Sequence, residues 1–142
     1  MAWIFRRRRI VKRRKPQSPK QYAFYKETAR ALVHAKLVQW NEHYKLEYKK
    51  VAIRNSRSRW GSCSISKNLN FNYKILFLPE ELQDYLIVHE LCHLKEFNHG
   101  EGFWALVAET IPEHKRLRSE LRVFERTLST SVGTEVQVGT VQ

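Results

Sequence analysis

The chain has 142 residues, of which 42% are hydrophobic and 12% aromatic, enough for one folded domain with short extensions at its ends. This composition excludes a chain that is disordered over most of its length. The formal net charge is +12, but the first twenty residues contain nine basic and no acidic side chains. The sequence therefore predicts a basic arm attached to a nearly neutral body.

The charged part of the arm, residues 6–20, is typical of a solvated segment that is attracted to nucleic acid or another polyanion. A disordered tail that only improves solubility is the alternative interpretation. The sequence contains no apolar run as long as a signal-peptide core or a membrane span. Cys63 and Cys92 form neither a CxxC pair nor a disulfide framework. We therefore expect reduced thiols and a cytoplasmic protein.

A long first helix is predicted after the arm. Pro19 follows a serine, a combination typical of a first helical position behind its N-cap. Apolar residues then recur at helical spacing from Tyr22 to Trp40, interrupted only by Lys36. The pattern predicts an amphipathic helix from about Pro19 to Tyr44.

The spacing of apolar residues next changes to the period of a strand. Val51 and Ile53 alternate with their neighbours, and Leu69, Phe71 and Tyr73 do so further along the chain. A polar run precedes the second set and is typical of a turn. These segments predict a small antiparallel sheet of about three strands.

A second helix is predicted to begin at Pro79, which is followed by two acidic residues in the first turn. Its apolar run extends from Leu82 to Phe97 and covers nearly every side of the helix, which places this helix in the centre of the fold. Asn98 and Gly100 are typical residues at a helix end.

Two further helices complete the domain. A short one is predicted from about Glu101 to Thr110, and a last one follows with a buried stripe. The stripe consists of Leu117, Leu121, Phe124 and Leu128. The predicted fold class is α+β, with the sheet packed against a long N-terminal helix, a central helix and C-terminal helices. We divide the chain into a disordered arm (1–18), one domain (19–128) and a flexible tail (129–142).

The central helix contains an HExxH sequence, formed by His89, Glu90 and His93. Residues four apart share one face of a helix, so both imidazoles can reach one metal ion. Glu90 is carried to the edge of the same site, where it can take a proton from metal-bound water. Burying these groups without partners in so apolar a segment would be costly. The motif therefore predicts a zinc site with Glu90 as general base.

A third ligand is predicted at His99, because six residues also separate the second and third histidines of metzincins. The match is imperfect, since Glu96 occupies the position of the metzincin glycine. A continued helix would rotate His99 about 240° away from His93, so the helix must end first. Asn98 and Gly100 permit the turn that brings His99 back to the site.

Other ligand sets remain open. Glu109 or Glu113 is an alternative third ligand, and a thiolate from Cys63 would close a four-ligand structural site. That closed site would leave Glu90 without a purpose. The remaining histidines lie on helices dominated by charge and are expected to be ordinary surface residues: His34, His43 and His114.

Several strings around the motif occur in an order that resembles one family. They are Ser58–Ser64 (SRWGSCS), Leu69–Asn72 (LNFN), Pro79–His93, Asn98-His99 and Phe103-Trp104. Together they resemble the YgjP-like metallopeptidase family, a minimal zincin related in style to SprT-like and WLM domains, over about residues 20–128. The resemblance implies a zincin-like fold with Zn²⁺ bound by His89, His93 and His99. It also implies that Glu90 is catalytic.

The resemblance further implies that the RWGSC segment lies in the sheet beside the cleft. Arg59 and Ser62 are candidate substrate-binding residues, because a guanidinium can hold an anionic group and a hydroxyl can donate a hydrogen bond. The alternative is that Trp60 belongs to the core and Arg59 is solvated or paired with a sheet neighbour. Phe103 and Trp104 are expected to pack behind the metal turn.

Three functions are compatible with these features. The preferred one is a zinc metallopeptidase in which Glu90 activates zinc-bound water for attack on a peptide carbonyl. A metal-dependent nucleoside-triphosphate pyrophosphohydrolase is an alternative, since some members of the resembled family are associated with that activity. Arg59 and the basic arm would suit its anionic substrate, although the sequence has no glycine-rich phosphate loop. The third is a nucleic-acid-binding module with structural zinc.

Overall fold

The computed structural model describes residues 10–12, 19–130 and 134–136, with side chains described for residues 20–126. The helices are α1 (Pro19–Tyr44), α2 (Glu80–His93), α3 (Glu101–Ala108) and α4 (His114–Thr130), and a 3₁₀ helix spans Tyr73–Phe77. The strands are β1 (Ile10–Lys12), β2 (Lys50–Arg54), β3 (Gly61–Cys63), β4 (Asn68–Asn72) and β5 (Thr134–Val136). The predicted α+β class is confirmed.

Three of the strands form one sheet in the order β2, β4, β3. β3 and β4 are antiparallel and are joined by a turn in which Lys67 has a φ of 64°. β2 and β4 are parallel, so the prediction of an antiparallel sheet is wrong for this pair. The chain crosses from β2 to the far edge of the sheet before it returns through the hairpin to the centre. Apolar alternation, on which the prediction rested, is the same for both strand directions.

The end of β4 is shaped by Asn72, which is 1% exposed. Its side chain accepts a hydrogen bond from Lys74 N (3.0 Å), which caps the 3₁₀ helix. Tyr73 therefore begins that helix and does not extend the strand, contrary to the predicted alternation. Asn72 Nδ2 also donates to the carbonyls of Ser56 (2.8 Å) and Arg59 (3.0 Å). One buried amide thus holds the loop between β2 and β3 against the sheet.

Helix α1 has the predicted bounds and packs one side against the core. Ala29, Val33 and Leu37 are fully buried on that side. Lys36, which interrupts the apolar pattern, is only 7% exposed, and its Nζ lies 2.6 Å from Oδ1 of Asp84 on α2. The residue that interrupts the apolar pattern therefore forms a buried ion pair between α1 and α2.

Helix α2 is buried on most sides, as predicted, but it ends at His93, four residues before Phe97. The backbone N–H groups of Lys95 and Glu96 both donate to the carbonyl of Cys92, at 3.1 and 2.9 Å. This tight last turn ends the helix. Phe97 is 43% exposed, so its apolar side chain does not continue the buried stripe.

The C-terminal helices follow the predicted order. α3 ends at Ala108, two residues before the predicted end. On α4, Leu117 is buried, and Leu121 and Phe124 pack against the core, so these members of the predicted stripe are confirmed. The side chain of Leu128 lies outside the described residues.

Two short strands lie within the predicted terminal segments. β1 and β5 pair antiparallel, with Val11 opposite Glu135, a pairing that the sequence pattern did not predict. Most residues of the predicted arm (1–18) and tail (129–142) lie outside the described ranges, so the division into arm, domain and tail stays a prediction. Among the described helices, none has the length and apolar content of a membrane span. The cytoplasmic location also stays a prediction.

Candidate metal centre

Three histidine side chains converge at the C-terminal end of α2. His89 and His93 lie one turn apart on the helix, and His99 returns from the loop between α2 and α3. Their Nε2 atoms form a triangle with sides of 3.0 Å (His93 to His89), 3.0 Å (His93 to His99) and 3.2 Å (His99 to His89). Among the side chains of residues 20–126, this is the only cluster of His, Cys, Asp or Glu donors able to hold a metal ion.

Hydrogen bonds at the opposite ring nitrogens orient two of these imidazoles. His93 Nδ1 donates to the backbone carbonyl of Glu96 (3.0 Å), which leaves the lone pair on Nε2. His89 Nδ1 lies 3.2 Å from Oη of Tyr85, and the same tautomer follows when it donates to that hydroxyl. Glu96 occupies the metzincin glycine position, yet it supports the site through its backbone carbonyl.

Aromatic rings pack behind the histidines. Phe103 is fully buried, and its ring stacks on His93 with centroids 4.3 Å apart and an interplanar angle of 16°. The same ring contacts His89 and His99 with centroids 5.0 Å away. Trp104 stacks on His99 at 5.9 Å and 25°. The predicted packing of Phe103 and Trp104 behind the metal turn is confirmed, and it fixes the orientation of the imidazoles.

Partial burial favours the neutral form of the three imidazoles. It lowers the pKa of His89 to about 3, with a smaller contribution from the charges of His93 and His99. Burial likewise lowers the pKa of His93 and of His99. Neutral imidazole is the form that binds metal ions, so the donors are ready for a ligand near neutral pH.

The donor set fits a zinc ion. Zinc bound by imidazole nitrogens at about 2.0–2.1 Å in a tetrahedral arrangement separates those nitrogens by about 3.3 Å. The observed separations of 3.0–3.2 Å are close to this value. Three protein ligands are also the number that catalytic zinc sites use, whereas structural sites use four.

Glu90 adjoins the cluster as a buried carboxyl group that lacks a full set of partners. It is 4% exposed, and its Oε2 atom has no hydrogen-bond partner among the described residues. Burial raises its pKa to about 8, although the positive charge of Arg59 acts in the opposite direction. A buried, unpaired carboxyl oxygen is costly, so its presence points to a ligand that this oxygen meets during function.

The first residue of β3, Gly61, allows the sheet to approach Glu90 closely. A Cβ atom at Gly61 would lie 3.1 Å from both Cγ and Oε1 of Glu90, and 3.0 Å from the carbonyl oxygen of Asn70. Both separations are shorter than ordinary van der Waals contacts. A side chain at this position would therefore displace the carboxyl group or the strand.

An open cleft of about 220 Å³ is lined by His89, His99 and Glu90. Helix α2 contributes Tyr85, Leu86, His89 and Glu90, and the loop before α3 contributes His99. The start of β3 contributes Trp60 and Gly61, and α4 contributes Arg118, Leu121, Arg122 and Glu125. The cleft thus lies between the edge of the sheet and the last helix.

Residues 6–124 match the sequence profile of the family described as YgjP-like, metallopeptidase domain. The chain belongs to this family. Membership in a metallopeptidase family implies a divalent metal ion, typically zinc, and the histidine cluster offers it suitable donors. The predicted family resemblance is therefore confirmed.

Two solved structures share the fold of this YgjP-like domain. The crystal structure of the metallopeptidase zymogen abylysin of Pyrococcus abyssi has a TM-score of 0.59 and 23% identity, covering 65% of this chain and 93% of that chain. The metallopeptidase zymogen jannalysin of Methanocaldococcus jannaschii has a TM-score of 0.51 and 25% identity, covering 69% and 95%. No curated protein matches the chain in sequence. The zincin-like fold is confirmed.

The two predicted substrate-binding residues of the YgjP-like domain do not line the cleft. Arg59 is exposed, although its charge lowers the pKa of Glu90 and so acts on the site. Ser62 Oγ accepts a hydrogen bond from Asn70 Nδ2 (3.3 Å). Because Gly61 faces Glu90, alternation along β3 directs Ser62 to the opposite face of the sheet. Substrate binding by Arg59 and Ser62 stays a prediction.

The alternative metal ligands do not join the histidine cluster. None of Cys63, Glu109 and Glu113 belongs to the group of mutually close donor atoms among the described side chains. Glu109 instead lies 3.4 Å from His43, and Glu113 lies 3.9 Å from an arginine of α4. Cys63 and Cys92 are both free thiols, as predicted.

His114 is not the ordinary surface residue that the sequence predicted. Its ring stacks on Trp104 with centroids 5.1 Å apart and an interplanar angle of 18°. Its Nδ1 atom is buried without a hydrogen-bond partner among the described residues. The contact arises because α3 and α4 meet beside the cleft, which the local charge around His114 does not reveal. His34 and His43 are exposed, as predicted.

Sequence reasoning missed several residues that line the cleft. Tyr85 precedes His89 by four positions on the same helix, so helical spacing could have identified it. Arg118 and Arg122 also lie four residues apart, on the polar side of α4. No local signal shows that this side of α4 faces the cleft, because the packing that places it there is long-range.

Proposed function

We propose that this chain is a zinc-dependent peptidase in which three histidines bind the metal and Glu90 is the general base. The histidines are His89, His93 and His99. One juxtaposition carries the proposal: three Nε2 atoms lie within 3.2 Å of one another, beside a buried carboxyl oxygen without a partner. A closed structural zinc site would use a fourth protein ligand and would leave Glu90 without a function.

These three histidines would hold the zinc ion, which when bound would supply a Lewis acid for the scissile carbonyl and lower the pKa of a water molecule towards neutrality. The chain itself supplies the proton transfer. Glu90 accepts the proton of the attacking water in its carboxylate form and then delivers it to the amine leaving group. Oε2 of Glu90 has no hydrogen-bond partner among the described residues, so it is available for both transfers.

The edge of the sheet supports the binding of an extended peptide. β3 is an outer strand, and Trp60 and Gly61 at its start line the cleft. Outer strands present backbone groups that can pair with an added peptide strand. A peptide paired with β3 would run along the cleft, with its backbone held beside the histidines and Glu90.

The dimensions of the cleft favour flexible substrates. A volume of about 220 Å³ accommodates a few side chains of an extended segment and not the surface of a folded protein. Two neighbours in fold are described as metallopeptidase zymogens, and the alignments cover 93% and 95% of those chains. This coverage supports peptide hydrolysis by a domain of this size.

The decisive experiment compares the chain with its Glu90→Gln variant. Zinc content is measured by elemental analysis, and turnover is measured on a denatured protein and on nucleoside triphosphates. We expect one zinc per chain in both proteins and a loss of about 10²- to 10⁴-fold in peptide hydrolysis for Glu90→Gln, because the proton acceptor is removed. Glu109→Gln is the matched control, since Glu109 is exposed and pairs with His43 on the surface.

Each alternative has its own outcome. Unchanged turnover in Glu90→Gln would exclude Glu90 as general base, and a chain without zinc would exclude the metal site. Hydrolysis of triphosphates without hydrolysis of peptides would favour the pyrophosphohydrolase. Zinc binding without any turnover, together with salt-sensitive binding of nucleic acid, would favour the structural module.

A further inference from the structure

Helix α4 presents two arginines to the cleft on the side opposite β3. Arg118 and Arg122 lie four residues apart and therefore share one face of the helix, and both line the cleft together with His89 and Glu90. The buried Leu117 anchors this part of α4 against the core. The arginines are thus held on a rigid element beside the proposed reaction centre.

Arg118 contacts an aromatic ring that packs against the metal site. Its guanidinium carbon lies 4.8 Å from the centroid of Trp104, and Trp104 stacks on His99. A guanidinium over an aromatic ring keeps its N–H donors available at its edge.

Within residues 20–126, neither arginine is paired with an acidic side chain. Among the described side chains, the ion pairs include neither Arg118 nor Arg122, whereas Arg116 on the same helix contacts Glu81 at 3.3 Å and Glu120 at 3.0 Å. Glu125 is the one acidic residue that α4 adds to the cleft lining. The wall formed by α4 therefore carries an excess of positive charge with unused hydrogen-bond donors.

We propose that Arg118 and Arg122 form a carboxylate-binding subsite that selects peptides with a negative charge close to the scissile bond. The inference deepens the proposed peptidase function and rests on it. The carboxylate can belong to an acidic side chain or to the free C-terminus of the substrate, and both offer the two oxygens that a guanidinium binds in a fork. A peptide held on β3 presents such a group across the cleft to α4.

The test uses three peptides that differ only in charge near the bond that is cleaved. The first peptide carries Glu next to that bond and the second carries Gln, and both have an amidated C-terminus. The third peptide also carries Gln, but its chain ends one residue further on in a free carboxylate. We expect kcat/KM to be about 10-fold higher for a carboxylate peptide than for the neutral one, the size of one charge-assisted hydrogen bond. Which carboxylate peptide is preferred identifies the source of the charge.

Variants of α4 test whether the arginines cause this preference. In Arg118→Gln/Arg122→Gln the ratio of kcat/KM between carboxylate and neutral peptides should fall to about 1. Arg122→Glu should reverse the preference towards a peptide with Lys at the same position. Arg116→Gln, the same change on the same helix outside the cleft, should keep the original ratio. A ratio near 1 in the unmodified chain, or an unchanged ratio in the double variant, overturns the proposal.

A binding measurement separates this proposal from the proposed catalysis. Fluorescence anisotropy of labelled peptides is measured with the zinc-loaded Glu90→Gln variant, with and without the double arginine change. Tighter binding of the carboxylate peptide, lost when both arginines are replaced, supports the subsite even if no peptide is hydrolysed by the unmodified chain. Equal binding of all three peptides overturns the subsite and leaves the peptidase proposal to its own assay.

Discussion

On the side of α2 that faces α1, buried polar groups are paired within the chain, whereas on the side that faces the cleft one buried carboxyl oxygen is left unpaired. Asp84 accepts hydrogen bonds from Lys36 Nζ (2.6 Å) and Trp40 Nε1 (3.1 Å). Gln83 donates to a backbone carbonyl of the 3₁₀ helix (2.9 Å). On the cleft side, Oε2 of Glu90 has no partner among the described residues.

This difference separates polar groups that stabilise the fold from polar groups that meet a ligand. A buried polar atom without a partner costs about 1–3 kcal/mol, so a stable domain keeps few of them. The side towards α1 follows that rule. The cleft side breaks it at Glu90 and places three imidazole nitrogens against one another, an arrangement that a metal ion and its substrate would satisfy.

Removing His99 should have the largest effect on the cleft side. Structural zinc sites contribute about 10–16 kcal/mol over four ligands, so the loss of one ligand should weaken zinc binding by about 3–4 kcal/mol, or about 100- to 1,000-fold. Competition with a chelator measures the affinity of His99→Ala, and His34→Ala, an exposed histidine on α1, is the control. Equal affinities for the two variants would show that His99 is not a ligand.

Breaking the ion pair on the opposite side of α2 should change stability and not zinc binding. Asp84→Ala leaves Lys36 buried without its closest partner, so we expect the free energy of unfolding to fall by about 3 kcal/mol, measured by urea denaturation. Glu80→Ala is the matched control, because Glu80 lies 3.5 Å from Lys36 with its side chain 83% exposed. Its effect should be below about 1 kcal/mol. Similar losses of unfolding free energy in both variants would show that Asp84 is not the main partner of Lys36.

A methyl group at Gly61 should disturb the unpaired carboxyl group directly. Gly61→Ala places a Cβ 3.1 Å from Cγ and Oε1 of Glu90, so kcat should fall by about 10- to 100-fold while zinc remains bound. Gly102→Ala is the control, because its Cβ would meet only the end of the Glu96 side chain, which can move. Full activity in Gly61→Ala would mean that catalysis tolerates a displacement of the Glu90 carboxyl group.

The smallest effect is expected at Tyr85, which supports a ligand without binding the metal. Tyr85→Phe removes the hydroxyl 3.2 Å from Nδ1 of His89, and zinc affinity should fall by about 10-fold, as is typical when a group that orients a metal ligand is lost. The same chelator competition measures it. An unchanged affinity would show that His89 is oriented by its ring contacts with Phe103 instead.

The local parts of the site were predictable from the sequence, because their geometry follows from the backbone of one element. The i, i+4 spacing of His89 and His93 fixes their common face on α2. Asn98 and Gly100 indicated a turn that returns His99 to that face, and Pro19 marked the start of α1. Each of these predictions depends only on residues that are close together in the sequence.

The parts that could not be predicted depend on packing between distant segments. Lys36 and Asp84 are 48 residues apart, and nothing in either neighbourhood identifies the other. The parallel pairing of β2 with β4 depends on the path of the connecting loop, since apolar alternation carries no direction. The contact of Arg118 with Trp104 likewise requires knowledge of how α4 crosses α3.

The placement of His99 outside α2 has a consequence for the chain when no zinc is bound. Residues 94–100 connect α2 to α3, and binding of one zinc ion by His93 and His99 would tether this connection to the helix. Without zinc the tether is lost, so amide hydrogens in residues 94–100 should exchange faster with deuterated solvent and the segment should become a site of cleavage by added protease. Loading with metal would then decide how long the chain survives as well as whether it is active.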